Sequence, residues 1–369
     1  MLLKNIKSIL IVLAILICSS AIINAQEKEH PDTVGLGGVN WFAYPFLFFT
    51  PETDWAFGAG GLLYFTLSDK LKSKPSSVTA SGYYTINNQF DITVIPEIYF
   101  NHDKYLLSTK FNFGEALDFF YGIGSTSPDI EYNQYLQRNF IVNVNIQMEA
   151  FDENLKLGPV FELRSMDVLN KESNPLLDSN LVRGSNGGTT SGVGLIASYD
   201  TRDNIFYPSQ GSYYQFSAIY YSKAFGSDFD YSKYLLDTRR YLSLFPDHIL
   251  AYQAYIMIEF GYPPFYDLAL LGGDKVMRGY LYGRYRDRIY YAFQVEYRLP
   301  IIWRFGFVVF GGLGDVASKV SNIEISTIKP SYGFGARFRI DELQKLDLRV
   351  DFGFGTNTNG IYFSVNQAF

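Results

Sequence analysis

The stretch with the clearest capacity for chemistry is residues 270–288, where an arginine, a glycine and a tyrosine follow one another at the centre. This stretch shows neither a helical nor an alternating hydrophobic period, and long connections of this kind are usually functional or disordered. Glycine permits a tight backbone, and a guanidinium can donate two parallel hydrogen bonds to a carboxylate. Residues Arg278, Gly279 and Tyr280 therefore indicate either an arginine held by one fixed partner or a solvated cationic loop. The stretch alone favours the solvated loop.

Catalytic chemistry has little support elsewhere in the sequence. The histidines are His30, His102 and His248, and no cysteine–histidine cluster has the spacing of a zinc site. Gly272 and Gly273 are not followed by a helix and a Lys-Ser/Thr pair, so they do not form a phosphate-binding loop. We therefore expect a protein that is not an enzyme and that has no catalytic residue, no cofactor and no metal.

The composition favours strands and a membrane environment. Of the 369 residues, 18% are charged and 18% are aromatic, including 30 tyrosines and 32 phenylalanines. Soluble domains carry about 25% charged residues, and tyrosine and phenylalanine are enriched in strands and in the aromatic belts of membrane proteins. The formal net charge is −6 and no basic run is present, so no nucleic-acid partner is indicated.

The first segment has the pattern of a secretory signal peptide. A positively charged start precedes a short apolar run, which ends before a small-residue cleavage site at Ala25. A lipoprotein signal acylated at the single cysteine, Cys18, ranks second because a bulky residue precedes that cysteine. Cleavage after Ala25 removes residues 1–25 and leaves 26–38 as a short amino-terminal segment.

Sixteen later segments alternate apolar and polar side chains, which is the pattern of strands with one apolar face. A soluble sandwich alternates in the same way, but the signal peptide, the aromatic excess and the connection lengths favour a membrane barrel. No later segment has the ~20 consecutive apolar residues of a spanning helix, so a membrane-embedded chain must close its sheet. The predicted strands are 39–50, 55–67, 76–86, 90–100, 104–113, 135–149, 155–165, 190–201, 211–223, 231–243, 248–260, 289–299, 303–313, 329–340, 346–356 and 360–369.

The connections between these strands alternate in length. If the first strand rises from the periplasm, short periplasmic turns such as 101–103 and 245–247 follow even-numbered strands. Long connections such as 166–189 and 261–288 follow odd-numbered strands, which is typical of outer-membrane barrels. We therefore predict an all-β fold, a 16-stranded antiparallel transmembrane β-barrel over residues 39–369, integral to the outer membrane of a Gram-negative cell.

Three motifs placed on these strands resemble those of the Omp85 superfamily, the sixteen-stranded barrels that insert or translocate proteins, and in particular its BamA/TamA-like surface-antigen barrels. Residues 276–280 are similar to its Val-Arg-Gly-Tyr/Phe motif between strands eleven and twelve, with one methionine inserted. Residues 296–301 resemble its Glu-x-Arg-x-Pro segment on strand twelve. The third motif is similar to its periplasmic turn after strand eight. That turn motif comprises Asp200, Arg202, Asp203, Pro208 and Gly211.

The resemblance implies a lock between the loop and the barrel wall. Loop 270–288 would fold into the lumen and carry Arg278 to Glu296 on the inner face of strand twelve, with Gly279 and Tyr280 completing the motif. The alternative is a solvated arginine beside an ordinary lumenal acid. For the turn after strand eight, an ordinary satisfied hairpin turn is favoured over any chemical role.

The resemblance also implies partners. Phe369 is similar to the carboxyl-terminal aromatic residue by which the assembly machinery recognises barrels, and Phe363 and Val365 are predicted to share its face of the last strand. The implied partners are outer-membrane lipid and lipopolysaccharide, an unidentified protein client, and the outer-membrane assembly machinery during biogenesis.

The sequence departs from the family pattern in two places. Gly312 stands where the family has an acid that shares the loop arginine, and nearby Asp315 has the opposite strand parity. Residues 26–38 are too few for a soluble POTRA domain, so none is expected before the barrel. The expected function is insertion or translocation of client proteins through a seam between the first and last strands. The alternative is a passive channel or structural barrel without transport activity.

Overall fold

Sixteen strands form one antiparallel sheet, in which each strand pairs with the next of the sixteen along the chain. Two short strands, Ala269–Leu271 and Tyr285–Asp287, form a second sheet. The structure, a computed structural model, describes residues 39–50, 54–67, 73–129 and 133–369, with the backbone alone for 47–50 and 54. The predicted signal peptide and the predicted segment 26–38 lie outside these residues. In chain order, the strands are β1 (Asn40–Thr50), β2 (Asp54–Phe65), β3 (Ser76–Thr85), β4 (Phe90–Phe100), β5 (Tyr105–Phe119), β6 (Gln134–Ala150), β7 (Asp152–Asn170), β8 (Gly187–Asp200), β9 (Gly211–Tyr221), β10 (Tyr231–Phe245), β11 (His248–Gly261), β12 (Ala269–Leu271), β13 (Tyr285–Asp287), β14 (Ile289–Ile302), β15 (Phe305–Ala317), β16 (Lys329–Asp341), β17 (Leu346–Gly355) and β18 (Thr358–Val365).

The polar face of the strands is the buried face, which separates this fold from a soluble sandwich. In β14, Gln294, Glu296 and Arg298 are at most 3% exposed, whereas Phe293, which precedes them, is 49% exposed. A sandwich would bury its apolar face between two sheets. Polar residues inside and apolar residues outside are instead the pattern of a transmembrane barrel.

Strands from opposite ends of the sheet order meet on the inner face. Tyr64 of β2 donates a hydrogen bond to Asp341 at the end of β16. Leu62 and Tyr64 of β2 also pack with Leu346 of β17 in one buried cluster. The sheet therefore curls round on itself, and the predicted fold class, a 16-stranded antiparallel β-barrel, is confirmed.

Several strand ends differ from their predicted positions; β5, for example, continues to Phe119 rather than ending at residue 113. The last strand stops at Val365 rather than at Phe369, because Phe369 turns to the buried side and is only 4% exposed. β7 runs over 19 residues, well beyond the predicted 155–165, because the alternation of apolar and polar residues does not mark where a strand leaves the membrane. Residues 270–288 were also predicted to have no regular structure, yet β12 and β13 pair from Ala269–Asp287 to Leu271–Tyr285.

Packed connections cover the end of the barrel that carries the long loops. Phe120, Leu177, Phe265 and Tyr266 come from three different connections and share one buried cluster. Buried Arg286 donates hydrogen bonds to the carbonyl oxygen of Phe265 in one connection and to that of Phe119 at the end of β5, and so joins these segments. The connections also contain the short helix α1 (Pro175–Asp178) and 3-10 turns at Lys223–Phe225, Val320–Asn322 and Ile325–Thr327. Across the described ranges, no helix combines the length and the apolar character needed to cross a bilayer.

Candidate functional site

The guanidinium of Arg278 is fully buried and contacts two carboxylates on different strands. Its Nη2 donates to Oε2 of Glu296 on β14 at 2.6 Å, and its Nη1 donates to Oδ2 of Asp351 on β17 at 2.5 Å. Its Cζ atom lies 3.5 Å from the centroid of the Phe310 ring on β15. Burial alone would lower the pKa of Arg278, but Glu296 and Asp351 raise it above its usual value, so the arginine stays charged.

The motif glycine lets the loop backbone lie directly on β17. Gly279 has φ +106°, and a Cβ on it would come within 2.5 Å of the Phe354 carbonyl carbon. Its amide nitrogen donates to the hydroxyl of Tyr362 on β18 at 2.8 Å. The next residue, Tyr280, donates from its hydroxyl to the Pro330 carbonyl on β16 at 2.8 Å. The loop motif therefore contacts the last three strands as well as β14.

The inserted Met277 is a buried packing residue. Its side chain is 0% exposed and lies in a cluster with Leu271, Tyr280 and Tyr290. Its backbone has φ +57°, a conformation that is uncommon for residues other than glycine. The hairpin β12–β13 and the buried thioether together hold the loop in this conformation.

Asp351 is the second carboxylate that pairs with Arg278, whereas Gly312 stands where the resemblance places an acid. Asp315 does not replace it, because its Oδ1 accepts from Lys329 Nζ at 2.6 Å and from Ser125 Oγ at 2.7 Å. Sequence reasoning missed Asp351. The available signal was its strand parity, since Arg349 and Asp351 are two residues apart and face the same side of β17.

Four arginines surround the two carboxylates. Glu296 Oε1 accepts from Arg298 Nε at 2.8 Å, and Asp351 Oδ1 accepts from Arg337 Nη1 at 2.5 Å. Arg349 pairs with Asp274 of the loop at 2.9 Å. Since buried charges are stable only when paired and hydrogen-bonded, each of these contacts constrains the others. Arg278 is thus one member of a network that joins β14, β16 and β17.

The periplasmic turn motif is also assembled, around Asp200. Its Oδ1 and Oδ2 accept from Arg202 Nε at 2.8 Å and Nη2 at 3.0 Å, and Oδ2 accepts from Lys74 Nζ at 2.9 Å. Burial opposes the charge of Arg202, but Asp200 raises the pKa of the guanidinium well above its usual value. The sequence offered no signal for Lys74, which is 126 residues away.

The remaining turn residues stabilise the backbone. Asp203 Oδ1 accepts from the amides of Ser209 and Gln210 at 2.8 and 3.2 Å. Gly211 has φ +99°, and a Cβ on it would lie 2.1 Å from the Thr201 carbonyl oxygen. Pro208 is buried and its carbonyl oxygen accepts from Arg298 Nη1 at 3.3 Å. The turn is therefore a satisfied hairpin connection that also contacts the arginine network.

A model of one known protein family covers most of this chain. The Omp85 superfamily domain matches residues 72–369 of this chain. The chain belongs to the Omp85 superfamily. No curated protein matches it.

Solved Omp85 structures share the fold. BamA from Haemophilus ducreyi lacking POTRA domains 1–3 is 13% identical with a TM-score of 0.56, over 89% of this chain and 69% of that one. CdiB from Acinetobacter baumannii is 13% identical with a TM-score of 0.54, over 90% of this chain and 65% of that one. The chain thus spans about two thirds of the length of each. At this identity the likeness extends to the fold alone.

The last residues of this Omp85 barrel fold back into it. Phe369 packs with Tyr241 and Ala251, and its main-chain oxygen accepts from Arg298 Nη2 at 2.8 Å. The prediction that Phe363 and Phe369 share one strand face is therefore wrong, since Phe363 is 48% exposed on β18. The role of Phe363, Val365 and Phe369 in recognition by the assembly machinery stays a prediction.

A cavity of about 1150 Å³ opens at the end with the short turns. Charged side chains of both signs line it, among them Lys74, Lys156, Arg202, Asp103 and Glu149. Within the residues that the structure describes, no group of three or more His, Cys, Asp or Glu side chains could hold a metal ion.

Gly353→Ala is expected to expel the loop motif from β17. A Cβ at position 353 would lie 2.6 Å from the Gly279 nitrogen and 2.7 Å from the Arg278 carbonyl carbon, and neither backbone atom can rotate away. We expect a loss of about 1–3 kcal/mol in the free energy of unfolding, the usual range for overpacking. Gly311→Ala is the matched control, because its nearest neighbour would be 3.8 Å away. Urea unfolding of both variants in lipid vesicles checks this, and equal stabilities would contradict it.

Proposed function

We propose that this Omp85 barrel lies in the outer membrane and assists the insertion of client proteins into that membrane or their translocation across it. The observation that carries the proposal is the double pairing of Arg278, which tethers the loop motif to β14 and β17. Membership of the superfamily supports the same function. Outer-membrane lipid, lipopolysaccharide and the assembly machinery are the further partners that we propose.

In this proposal, loop 270–288 is folded into the lumen as a plug. Its contacts with Glu296, Pro330, Gly353 and Tyr362 reach β14, β16, β17 and β18. A loop held at these four strands would narrow the lumen and brace the side of the barrel where the sheet closes. Since a forked arginine pair is directional, releasing it changes the position of the whole loop.

The proposed working element is the seam between β1 and β18, and a proline in β1 supports it. In two other strands a proline interrupts one ladder: pairing of β4 with β5 skips Pro96, and pairing of β6 with β7 skips Pro159. Pro45, however, pairs with Ala59 in an unbroken ladder to β2. Because proline has no N–H, its missing donor faces away from β2, towards the seam.

β18, on the other side of the seam, also offers few backbone groups for pairing. β18 has eight residues, the fewest of the sixteen strands, and the chain turns away from it after Val365. A sheet edge with unpaired backbone groups can accept a strand from another chain. We propose that the seam opens transiently and that a client strand adds there.

Pro45→Val tests the seam. Restoring the amide should add about 1 kcal/mol of hydrogen bonding across the seam, which makes opening rarer, so client capture should fall by about fivefold. Capture is measured in intact cells by crosslinking from single cysteines placed at Phe42 or Phe363. Background labelling is low because the single native cysteine, Cys18, lies in the predicted signal peptide.

Pro159→Val is the matched control, since it restores an amide between two strands far from the seam. We expect it to leave client capture unchanged. Equal effects of the two substitutions, or no captured client with either cysteine, would contradict the insertion and translocation proposal.

A passive channel or structural barrel is the second candidate, and the cavity of about 1150 Å³ at one end of the lumen favours it. For such a channel to conduct, the packed connections around Phe120 and Phe265 must part. Planar-bilayer recording separates the candidates. If the wild type does not conduct and the Arg278→Ala variant does, the plug is supported. Steady conductance of the wild type supports the channel.

A further inference from the structure

The turn 201–210 lines the cavity with some of its residues and packs against the barrel interior with others. Arg202, Asp203 and Asn204 line the cavity that opens at the end with the short turns. Phe206 and Pro208 are buried on the opposite side, and Phe206 packs with Leu62 and Tyr64 of β2 in the cluster that also contains Leu346. A displacement of the turn from the cavity side must therefore move buried groups.

One of these buried groups is bonded to the arginine network. Arg298 is 1% exposed, and its guanidinium donates to three acceptors from three parts of the chain. These acceptors are Glu296 Oε1 at 2.8 Å, the Pro208 carbonyl oxygen at 3.3 Å and the Phe369 main-chain oxygen at 2.8 Å. The second carboxylate oxygen of Glu296 holds Arg278. Two side chains thus separate the turn from the loop motif.

We propose that Arg298 couples the periplasmic turn 201–210 to the Arg278 lock. Displacing the turn from the cavity side would then loosen residues 272–284, the part of loop 270–288 that connects β12 to β13. This inference rests on the proposed lock. The physical basis is that a buried guanidinium that loses one hydrogen-bond acceptor must find another, because an unpaired buried charge is strongly destabilising. When Pro208 moves, Arg298 must follow it or find another acceptor, and either change alters how Glu296 is held. Arg298 acts here as a positioning residue.

Amide hydrogen exchange of the folded barrel in lipid nanodiscs tests the coupling. Asp203→Ala releases the amides of Ser209 and Gln210 and loosens the turn from the exposed side, without touching the arginine network. We expect exchange in residues 272–284 to rise by about fivefold or more, the lower end of typical coupling between sites. The matched control is Asp228→Ala. Asp228 is an exposed aspartate in the connection between β9 and β10, and it accepts a hydrogen bond from the Thr189 amide of β8. This substitution should leave exchange in 272–284 unchanged.

Two further variants separate the coupling from the lock. Arg278→Ala must raise exchange in 272–284, and if it does not, the proposed lock is wrong. If Arg278→Ala raises it but Asp203→Ala does not, the lock stands and the coupling is wrong. In an Arg298→Lys background, the added effect of Asp203→Ala should disappear, because an ammonium cannot span three acceptors as a guanidinium does. Should the lysine variant fail to fold, the comparison of Asp203→Ala with Asp228→Ala still decides.

Discussion

Replacing Arg278 with alanine is expected to destabilise the folded barrel by about 3 kcal/mol, the lower end of the cost of breaking a buried ion pair. The cost is large because Glu296 and Asp351 both lose a fully buried partner. It stays at the lower end because Arg298 still holds Glu296 and Arg337 still holds Asp351. The free energy of unfolding, measured in urea with the protein in lipid vesicles, gives the value.

Two controls accompany this substitution. Arg278→Lys keeps the charge but offers one compact ammonium in place of a fork, so it should recover only part of the loss. Arg284→Ala removes another arginine of the same connection, which has no carboxylate partner among the described residues. It donates to the carbonyl and hydroxyl oxygens of Ser127 at 3.2 Å, and its Cζ lies 4.4 Å from the ring centroids of Tyr121 and Tyr285. Its loss should be about 1–2 kcal/mol, below that of Arg278→Ala, because no buried carboxylate loses its partner. Equal losses of stability for Arg278→Ala and Arg284→Ala would contradict the claim that pairing with two buried carboxylates stabilises the barrel.

Asp351→Asn is expected to be at least as damaging as Arg278→Ala, with a loss of about 3–5 kcal/mol. The substitution hardly changes the shape of the side chain, but it removes the negative charge among Arg278, Arg337 and Arg349. Three buried guanidiniums then repel one another with less compensation. Urea unfolding measures the loss, and hydrogen exchange of 272–284 should rise with it.

Asp315→Asn is the decisive comparison for Asp351, because Asp315 lies three residues after Gly312, the position at which the resemblance places an acid. Its partners are Lys329 and Ser125 rather than the loop arginine. The substitution should weaken that local contact and leave exchange in 272–284 unchanged. A larger effect on the loop from Asp315→Asn than from Asp351→Asn would show that Asp351 does not supply the missing carboxylate.

The strands were predictable because a strand repeats its pattern every two residues, and the signal peptide, the aromatic excess and the connection lengths favoured a barrel over a sandwich. In β14, the alternation of Phe293, Gln294, Val295 and Glu296 indicates two faces of opposite polarity, and similar segments place all sixteen strands. The same alternation predicted that Glu296 faces the interior. Together with the resemblance of the loop motif to that of the Omp85 superfamily, this predicted the contact between Arg278 and Glu296.

Contacts across the interior were not predictable from alternation. Strand parity shows which residues face inward, but the curvature of the sheet decides which of them meet. Asp351 lies 73 residues from Arg278, and Lys74 lies 126 residues from Asp200. The end of β18 was missed for a related reason, since the inward turn of Phe369 depends on Arg298 and Tyr241 from other strands.

The most direct test of the lock is hydrogen exchange of residues 276–281 in the wild-type barrel in nanodiscs. The exposed connection 318–328 of the same molecule, whose 3-10 turns bury no residue, serves as the internal reference for an unattached loop. If Arg278 holds the loop motif on β14 and β17, residues 276–281 should exchange slower than this reference by about tenfold or more, as tightly packed segments do. Exchange of both segments at the same rate would show that the loop motif is not held against the barrel wall.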